Sequence, residues 1–244
     1  MSAATIALAG SAARPGGPAL HLDVPDVREA PPPALTHATC RLLNIVVALI
    51  GVIVAIPITL AIMILIKATS SGPVFYRQQR VGRDRRVNGS REDDDTHNVG
   101  GRPFTILKFR TMRAAGATEP QVWASQGDPR VTRLGRFLRT SRLDELPQFL
   151  NVLQGDMNVV GPRPEQVEIA RALRRAIPGY ADRHRVLPGI TGLAQTTLGY
   201  DQSLDDVRRK TALDLEYVRQ RSPIHDIRIM ARTPFVMLGG RGAL

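Results

Sequence analysis

The chain is poor in several things. Aromatic residues make up 5% of its 244 positions, too few for the stacking platforms on which single-stranded nucleic acid is held. Its one cysteine, Cys40, excludes an intramolecular disulfide and fits a reducing compartment. The five histidines show no metal-ligand spacing. No Walker A loop, GxGxxG or GxSxG occurs, so the nucleoside-triphosphate, dinucleotide and serine-hydrolase fingerprints are missing. No internal repeat is visible. Acids are outnumbered, 22 against 33 Lys and Arg, for a formal net charge of +11. Such a surface suits an anionic partner such as a phosphorylated substrate or lipid headgroups. Nucleic acid is not expected as a partner.

What is present begins with a stretch rich in Ala, Gly and Pro, ending in "APPPAL". It lacks hydrophobic period and reads as a disordered tail over residues 1–40. No basic n-region opens it, so a signal peptide is not expected. From Leu42 to Ile66 the chain then carries no charge at all. As one helix this run would measure about 37 Å, against a hydrocarbon core of about 30 Å. Pro57 sits past its middle. If it breaks the helix, the legs are about 22 Å and 15 Å long, and both would return to one face of the membrane. The sequence therefore leaves 41–67 open between a re-entrant helix-break-helix hairpin and a tilted span. The many Arg and Lys of residues 67–113 place the following domain, residues 68–244, on the cytoplasmic side and would hold anionic lipid headgroups.

Two segments, Gly72–Asp84 and Arg102–Met112, read as short strands. The polar stretch 85–100 between them reads as a loop insert. It contains the run "REDDD" and His97, which lack metal-site spacing and read as solvated. From Thr132 the apolar period turns helical. Pro147 divides the pattern, so two helices are expected, the second opening near Ser141–Asp144 and closed by Gly155. "VVGPRPE" reads as a stiff turn and "RVLPGITGLAQ" as extended. An amphipathic helix is expected over Leu204–Val218, followed by a second interfacial element in "PIHDIRIMARTPFVML".

The chemistry-bearing residues cluster in "SRLDELPQFLNVL". Asp144 and Glu145 stand side by side behind Arg133, Arg136, Arg139 and Arg142. The local pattern is a capping box, with Ser141 as cap and Asp144 at N3. The surrounding cations suggest a phosphate site, where a carboxylate can serve as nucleophile at phosphorus, as Mg²⁺ ligand, or as both. Arg163 is held between Pro162 and Pro164, which stiffen the backbone that presents its guanidinium. Lys108 and Arg110 fall on one side of a strand, opposite Phe109.

Several motifs occur together and in order: the Pro-containing apolar segment, "GPVFYRQQRVG", "RPFTILKFRTM", "TRLGRFLRTSRLDELPQFLNVLQGDMNVVGPRPE" and "LPGITGLAQ". From Arg41 to Leu238 the chain resembles the bacterial sugar transferases, the monotopic polyprenyl-phosphate phosphoglycosyl transferases. The resemblance implies a mostly helical α/β enzyme of the bacterial inner membrane. It would have a membrane-embedded N-terminal hairpin broken at Pro57 and a small cytosolic catalytic domain with amphipathic interfacial helices. The implied activity is transfer of a phosphosugar from a UDP-sugar to undecaprenyl phosphate, with release of UMP. That reaction starts exopolysaccharide, O-antigen, capsule or glycoprotein glycan synthesis.

The resemblance makes Asp144 the nucleophile that carries the phosphosugar and Glu145 the Mg²⁺ ligand, with Asp144 beside it. Lys108, Arg110, Arg139 and Pro162-Arg163-Pro164 would bind substrate. The chain departs from the family pattern at Ile56, where relatives often have Ser, in the 85–100 insert, and in "TTLGYDQS" after "GITGLAQ", where a Val-Asn-Gly-Arg run is missing. It looks like the short catalytic form of the family. The oligomeric state stays open between monomer and homo-oligomer. The competing readings are a non-enzymatic, membrane-anchored basic adaptor and an inactive family member.

Overall fold

A computed structural model describes residues 34–84, 100–113, 128–198 and 203–238. The tail over 1–33, residues 85–99 of the insert with "REDDD" and His97, and residues 199–202 of the "TTLGYDQS" departure lie outside the described residues.

The apolar run forms α1, Ala34–Thr69, a helix of 36 residues. It starts ahead of Arg41, so the last part of the expected tail is helical. Pro57 lies inside α1 and does not end it. Of the hairpin and the span that the sequence leaves open, neither is decided by this continuity, since a proline inside a helix can bend it without ending it. The missing proline N–H deprives only the Ile53 carbonyl of its helical partner. By length and composition α1 is able to cross a membrane. One stripe of it is buried: Cys40, Asn44, Ala48, Ala55, Ile62 and Ile66. These positions follow helical spacing. On the rest of its surface Leu49, Ile50, Ile53, Val54, Leu60 and Ile64 are 50–69% exposed, an apolar surface of the kind that marks a membrane or partner contact.

Both ends of α1 rest on the polar domain that follows. Near its start, Arg41 donates to the Met157 carbonyl at 2.8 Å and to the Val152 carbonyl at 2.5 Å. One turn on, Asn44 Oδ1 accepts from the backbone N–H groups of Val159 and Val160 at 2.7 and 3.0 Å. Near its end, Ile62 and Ile66 pack with Phe109 and Leu138, and Lys67 donates to the Gly72 carbonyl.

β1 (Phe75–Val81) and β2 (Pro103–Phe109) form an antiparallel ribbon, as their alternation predicts. Its register sets Tyr76 opposite Lys108 and Arg80 opposite Phe104. Lys108 therefore shares a face with Ile106, Gln78 and Arg80. The free edge of β2 is covered by an amide side chain. Asn151 Oδ1 accepts from Leu107 N at 3.0 Å, and its Nδ2 donates to the Thr105 carbonyl at 2.8 Å.

Asn151 belongs to α3 (Gln148–Gln154), which follows α2 (Arg133–Thr140) and is closed by Gly155 at φ 92°, as expected. β3 (Asn158–Val160) pairs in parallel with β4 (Gly189–Thr191). Between them lie α4 (Val167–Ala176), which the sequence reading left unassigned, and a 3₁₀ segment, Tyr180–Arg185. The chain continues through α5 (Leu193–Thr197), α6 (Leu204–Gln220) and α7 (Pro223–Leu238). The main core gathers Phe104, Ile106, Val152, Met157, Val160 and Leu215 between ribbon, α3, β3 and α6. The architecture is mostly helical α/β, with one long apolar helix docked on it.

Candidate active site

Three segments meet at Asp144 and Glu145: the end of β2, the turn after α2, and the loop between β3 and α4. Gly135 sets the position of α2. A Cβ there would stand 1.9 Å from the Thr111 carbonyl oxygen, so glycine alone lets the helix lie this close to the chain leaving β2. Thr132 caps α2, accepting from Gly135 N at 2.8 Å.

The end of α2 corrects the capping-box reading. Ser141 Oγ donates backwards, to the Phe137 carbonyl at 2.8 Å. Ser141 therefore closes the helix before the two acids and does not open one after them. Arg142 then takes φ 58°, the left-handed region that costs a non-glycine residue roughly 1–2 kcal/mol. It turns the chain into one 3₁₀ turn, Leu143–Glu145, and α3 begins only at Gln148, behind Pro147. Proline is tolerated at a helix start, where its missing N–H has no partner to lose, and not further in. That displaces the expected start near Ser141–Asp144. The acids sit on a turn, and side-chain cations, not an α-helix dipole, set their electrostatics.

Those cations are shared unequally. Lys108 Nζ donates to Glu145 Oε1 at 2.8 Å and stands 3.9 Å from Asp144 Oδ2. Arg163 Nη2 donates to the same Glu145 Oε1 at 2.8 Å. Arg142 lies 3.9 Å from Glu145 Oε2. Burial alone would raise the pKa of Glu145, but Arg163 and Lys108 together hold it well below the usual carboxylate range. Asp144 is pushed upward by burial, which outweighs Lys108, and the neighbouring Glu145 charge adds to the rise. In return, Glu145 raises the pKa of Arg163. Two adjacent acids thus differ: Glu145 is a neutralised anion, while Asp144 is buried and less well compensated.

The other expected residues are placed as follows. Pro162 and Pro164 are buried on either side of Arg163, whose side chain stays 38% exposed. Arg139 donates from Nε to Thr111 Oγ1 at 2.9 Å, and its charge acts on Asp144. Arg110 follows the last residue of β2, and its buried guanidinium bonds the carbonyl and hydroxyl of Ser70 at 2.9 and 2.8 Å. It joins the end of α1 to the ribbon, whereas Lys108 serves the acids.

Two residues at the site went unread in the sequence. Arg80 donates to the Pro164 carbonyl at 3.1 Å. Gln148 is 2% exposed, and its Nε2 has no hydrogen-bond partner among the described residues. With Ile106, Lys108, Arg163 and Pro164 they line a small cleft. The alternation of the ribbon carried the signal for Arg80, which shares the Lys108 face. Nothing local marked Gln148. A separate cavity of about 510 Å³ opens by Arg77, Arg102 and Leu107, on the opposite face of the ribbon from Lys108, and includes neither acid of the pair.

The donor set fits a hard divalent cation shared with a phosphate ligand. Among the described residues no group of three or more His, Cys, Asp or Glu could cage a metal. Asp144 and Glu145 offer two carboxylates, and Mg²⁺ commonly takes one or two, completing its shell with phosphate oxygens and water. The site can therefore neutralise a diphosphate and present a carboxylate nucleophile to it.

Comparison with known proteins places the chain in a family. The bacterial sugar transferase family model matches residues 35–240. A UDP-N-acetylgalactosamine-undecaprenyl-phosphate N-acetylgalactosaminephosphotransferase of Aeromonas hydrophila is 41% identical over 203 residues, 83% of this chain and 44% of that protein. UDP-glucose:undecaprenyl-phosphate glucose-1-phosphate transferases are similarly close. That of Escherichia coli is 40% identical over 79% of this chain and 38% of its own length. That of Caulobacter vibrioides is 37% identical over 90% of this chain and 73% of its own length. The chain thus spans roughly two-fifths of the first two relatives and most of the third. The family match takes in the apolar helix and every segment that meets at Asp144 and Glu145, and the chain belongs to the bacterial sugar transferase family.

Proposed function

We propose that the chain transfers a phosphosugar from a UDP-sugar to undecaprenyl phosphate and releases UMP, the first membrane step in making a cell-surface glycan. The observation that carries this reading is the unequal compensation of two adjacent acids. Lys108 and Arg163 close on Glu145, which leaves Asp144 the less stabilised carboxylate and the better nucleophile.

Asp144 attacks the β-phosphorus of the donor. A bond forms from its carboxylate oxygen to phosphorus, and the bond from phosphorus to the bridging oxygen breaks. UMP departs with that electron pair. The phosphate oxygen of undecaprenyl phosphate then attacks the same phosphorus, forming the polyprenyl diphosphate sugar and releasing Asp144. Lys108, Arg139 and Arg163 orient the phosphates and oppose their charge. Glu145, with Asp144, would hold Mg²⁺. When bound, the ion supplies neutralisation of the diphosphate charge.

The contacts of α1 favour one membrane arrangement. A helix crossing the bilayer would carry Arg41 and Lys67 to opposite faces. Here Arg41 and Asn44 at one end, and Ile62 and Ile66 at the other, all contact the same polar domain. That supports the re-entrant reading, with both ends on the cytoplasmic face of the inner membrane. α7 fits a place along the bilayer surface. Its Ile224, Ile227 and Phe235 are 64, 51 and 76% exposed, with Arg228 and Arg232 exposed beside them.

The test is UMP release from a panel of UDP-sugars, beginning with UDP-glucose and UDP-N-acetylgalactosamine, with undecaprenyl phosphate and Mg²⁺. Wild type is expected to turn over at least one donor and Asp144→Asn none. Near-normal turnover by the variant would remove Asp144 as nucleophile. A membrane-anchored adaptor would release no UMP from any donor and would show only salt-dependent anion binding.

A further inference from the structure

The segment that presents Arg163 is pinned at two carbonyls, one by Tyr217 of α6 and one by Arg183 of the 3₁₀ segment, which Asp214 of α6 holds. Asp214 and Tyr217 lie three residues apart on that helix, so they share a face, and both are buried. The Tyr217 hydroxyl stands 3.1 Å from the Val160 carbonyl and 2.7 Å from Asp226 Oδ1. Asp214 Oδ2 accepts from Arg183 Nη2 at 2.5 Å, and the same Nη2 donates to the Arg163 carbonyl at 3.0 Å. Arg183 Nη1 bonds the Tyr180 hydroxyl at 2.8 Å, and the guanidinium lies over the Tyr180 ring. Between the two pinned carbonyls are Gly161 and Pro162. A Cβ on Gly161 would stand 2.4 Å from the Leu187 carbonyl, so the segment has little room to shift.

The Asp214–Arg183 pair is almost wholly buried, with side chains 4% and 6% exposed. Buried ion pairs are weak contributors to stability against an apolar pair of the same shape, so this one calls for another reason to be ionic. The Arg163 carbonyl supplies one. A guanidinium holds the carboxylate and the carbonyl from one nitrogen and the Tyr180 hydroxyl from a second fixed in the same plane, whereas an ammonium has a single, freely rotating nitrogen and an apolar side chain has no donor. We propose that Arg183, oriented by Asp214, is a positioning residue for Arg163. It fixes the backbone from which the Arg163 side chain reaches Glu145 and, on the phosphosugar-transfer reading above, the donor diphosphate. Arg183 touches neither acid of the pair and acts only through Arg163.

The test is a double-mutant cycle with the full chain in nanodiscs. Arg183→Lys is measured in the wild-type and the Arg163→Ala backgrounds, with the KM of the UDP-sugar, the KM of undecaprenyl phosphate, kcat, and the Kd of UDP as readouts. In the wild-type background Arg183→Lys is expected to weaken donor and UDP binding about tenfold and to leave the acceptor KM unchanged. In the Arg163→Ala background it is expected to add no further loss. Equal losses in both backgrounds would overturn the proposal, as would a lowered melting point with unchanged donor binding. If Arg183→Lys does not fold, the paired change Arg183→Met with Asp214→Leu repacks the site without charge. Normal donor binding by that variant would also overturn it. Wild type that binds UDP without turnover would remove the transfer reading, while the cycle would still be read by UDP affinity. Wild type that does neither would overturn both.

Discussion

Lys108 and Arg163 share one oxygen atom: each donates to Glu145 Oε1 at 2.8 Å, one from the ribbon and one from the Pro-Arg-Pro loop. Glu145 is thereby the point at which two distant segments close on the turn that carries Asp144. The arrangement also separates the two acids, because Lys108 and Arg163 lie at 2.8 Å from Glu145, while Lys108 stands 3.9 Å from Asp144 and only partly offsets its burial.

Arg163→Lys keeps the charge and removes the fork. A lysine can reach Glu145 or a phosphate oxygen, but it cannot hold both in one plane. The expected result is a fall in kcat/KM for the UDP-sugar of about ten- to a hundredfold, or roughly 1.4–2.8 kcal/mol of transition-state stabilisation. Steady-state UMP release at saturating acceptor measures it. Turnover within twofold of wild type would show that charge alone suffices.

Glu145→Gln removes the anion that Lys108 and Arg163 hold but keeps the side-chain volume. If Glu145 helps to bind Mg²⁺, the concentration of Mg²⁺ giving half-maximal rate should rise by tenfold or more, since a neutral amide oxygen is a poorer ligand for a hard cation. A Mg²⁺ titration of UMP release decides this. A curve that superimposes on wild type would assign Glu145 to cation spacing alone.

The parts of this site readable in the sequence were those with a local cause. Alternation predicts the ribbon and puts Lys108 on one face. The flanking prolines predict a stiff loop at Arg163, and Gly155 marks the end of α3. The capping box at Ser141 failed because the competing determinant is remote: Gly135 against the Thr111 carbonyl places α2, and Pro147 then delays α3. Asn44 could not be weighed within an apolar run, because its partners, Val159, Val160 and Asp226, are distant in sequence. For the same reason Arg183 and Asp214 carried no signal, since their pairing exists only once α6 lies against the 3₁₀ segment. Pro57 leaves a hairpin and a span open in the sequence, because a proline's local chemistry fixes a lost hydrogen bond and not how far the helix bends there.

Gly135→Ala tests that remote determinant. The added methyl would meet the Thr111 carbonyl at 1.9 Å, and backbone, not a flexible side chain, would have to move. Overpacking of this kind costs about 1–3 kcal/mol. The expected result is a lowered melting temperature together with weaker UDP binding, because Arg139 is tied to Thr111 across the same contact. A variant that melts with wild type would show that α2 can shift without penalty.

His184 gives the fold an acid sensitivity of predictable sign. It is 5% exposed, and burial, followed by the charge of Arg183, pushes its pKa down to about 3. In the unfolded chain the ordinary value of 6.5 applies. Below that value the unfolded state binds a proton that the folded state refuses, so stability falls as pH drops from 6.5 towards 3 and is fully present above 6.5. The slope is about 1.4 kcal/mol per pH unit for one proton, or about 2 kcal/mol between pH 6.5 and 5. His184→Gln, which cannot take up that proton, should lose correspondingly less stability over the same interval. Carboxylates such as Asp214 also titrate on the acid side, but they are common to both proteins and cancel in the difference. Denaturant unfolding in detergent at pH 7.5 and pH 5 measures it. Equal losses in wild type and variant would mean that the folded protein accommodates a charged imidazole at this position.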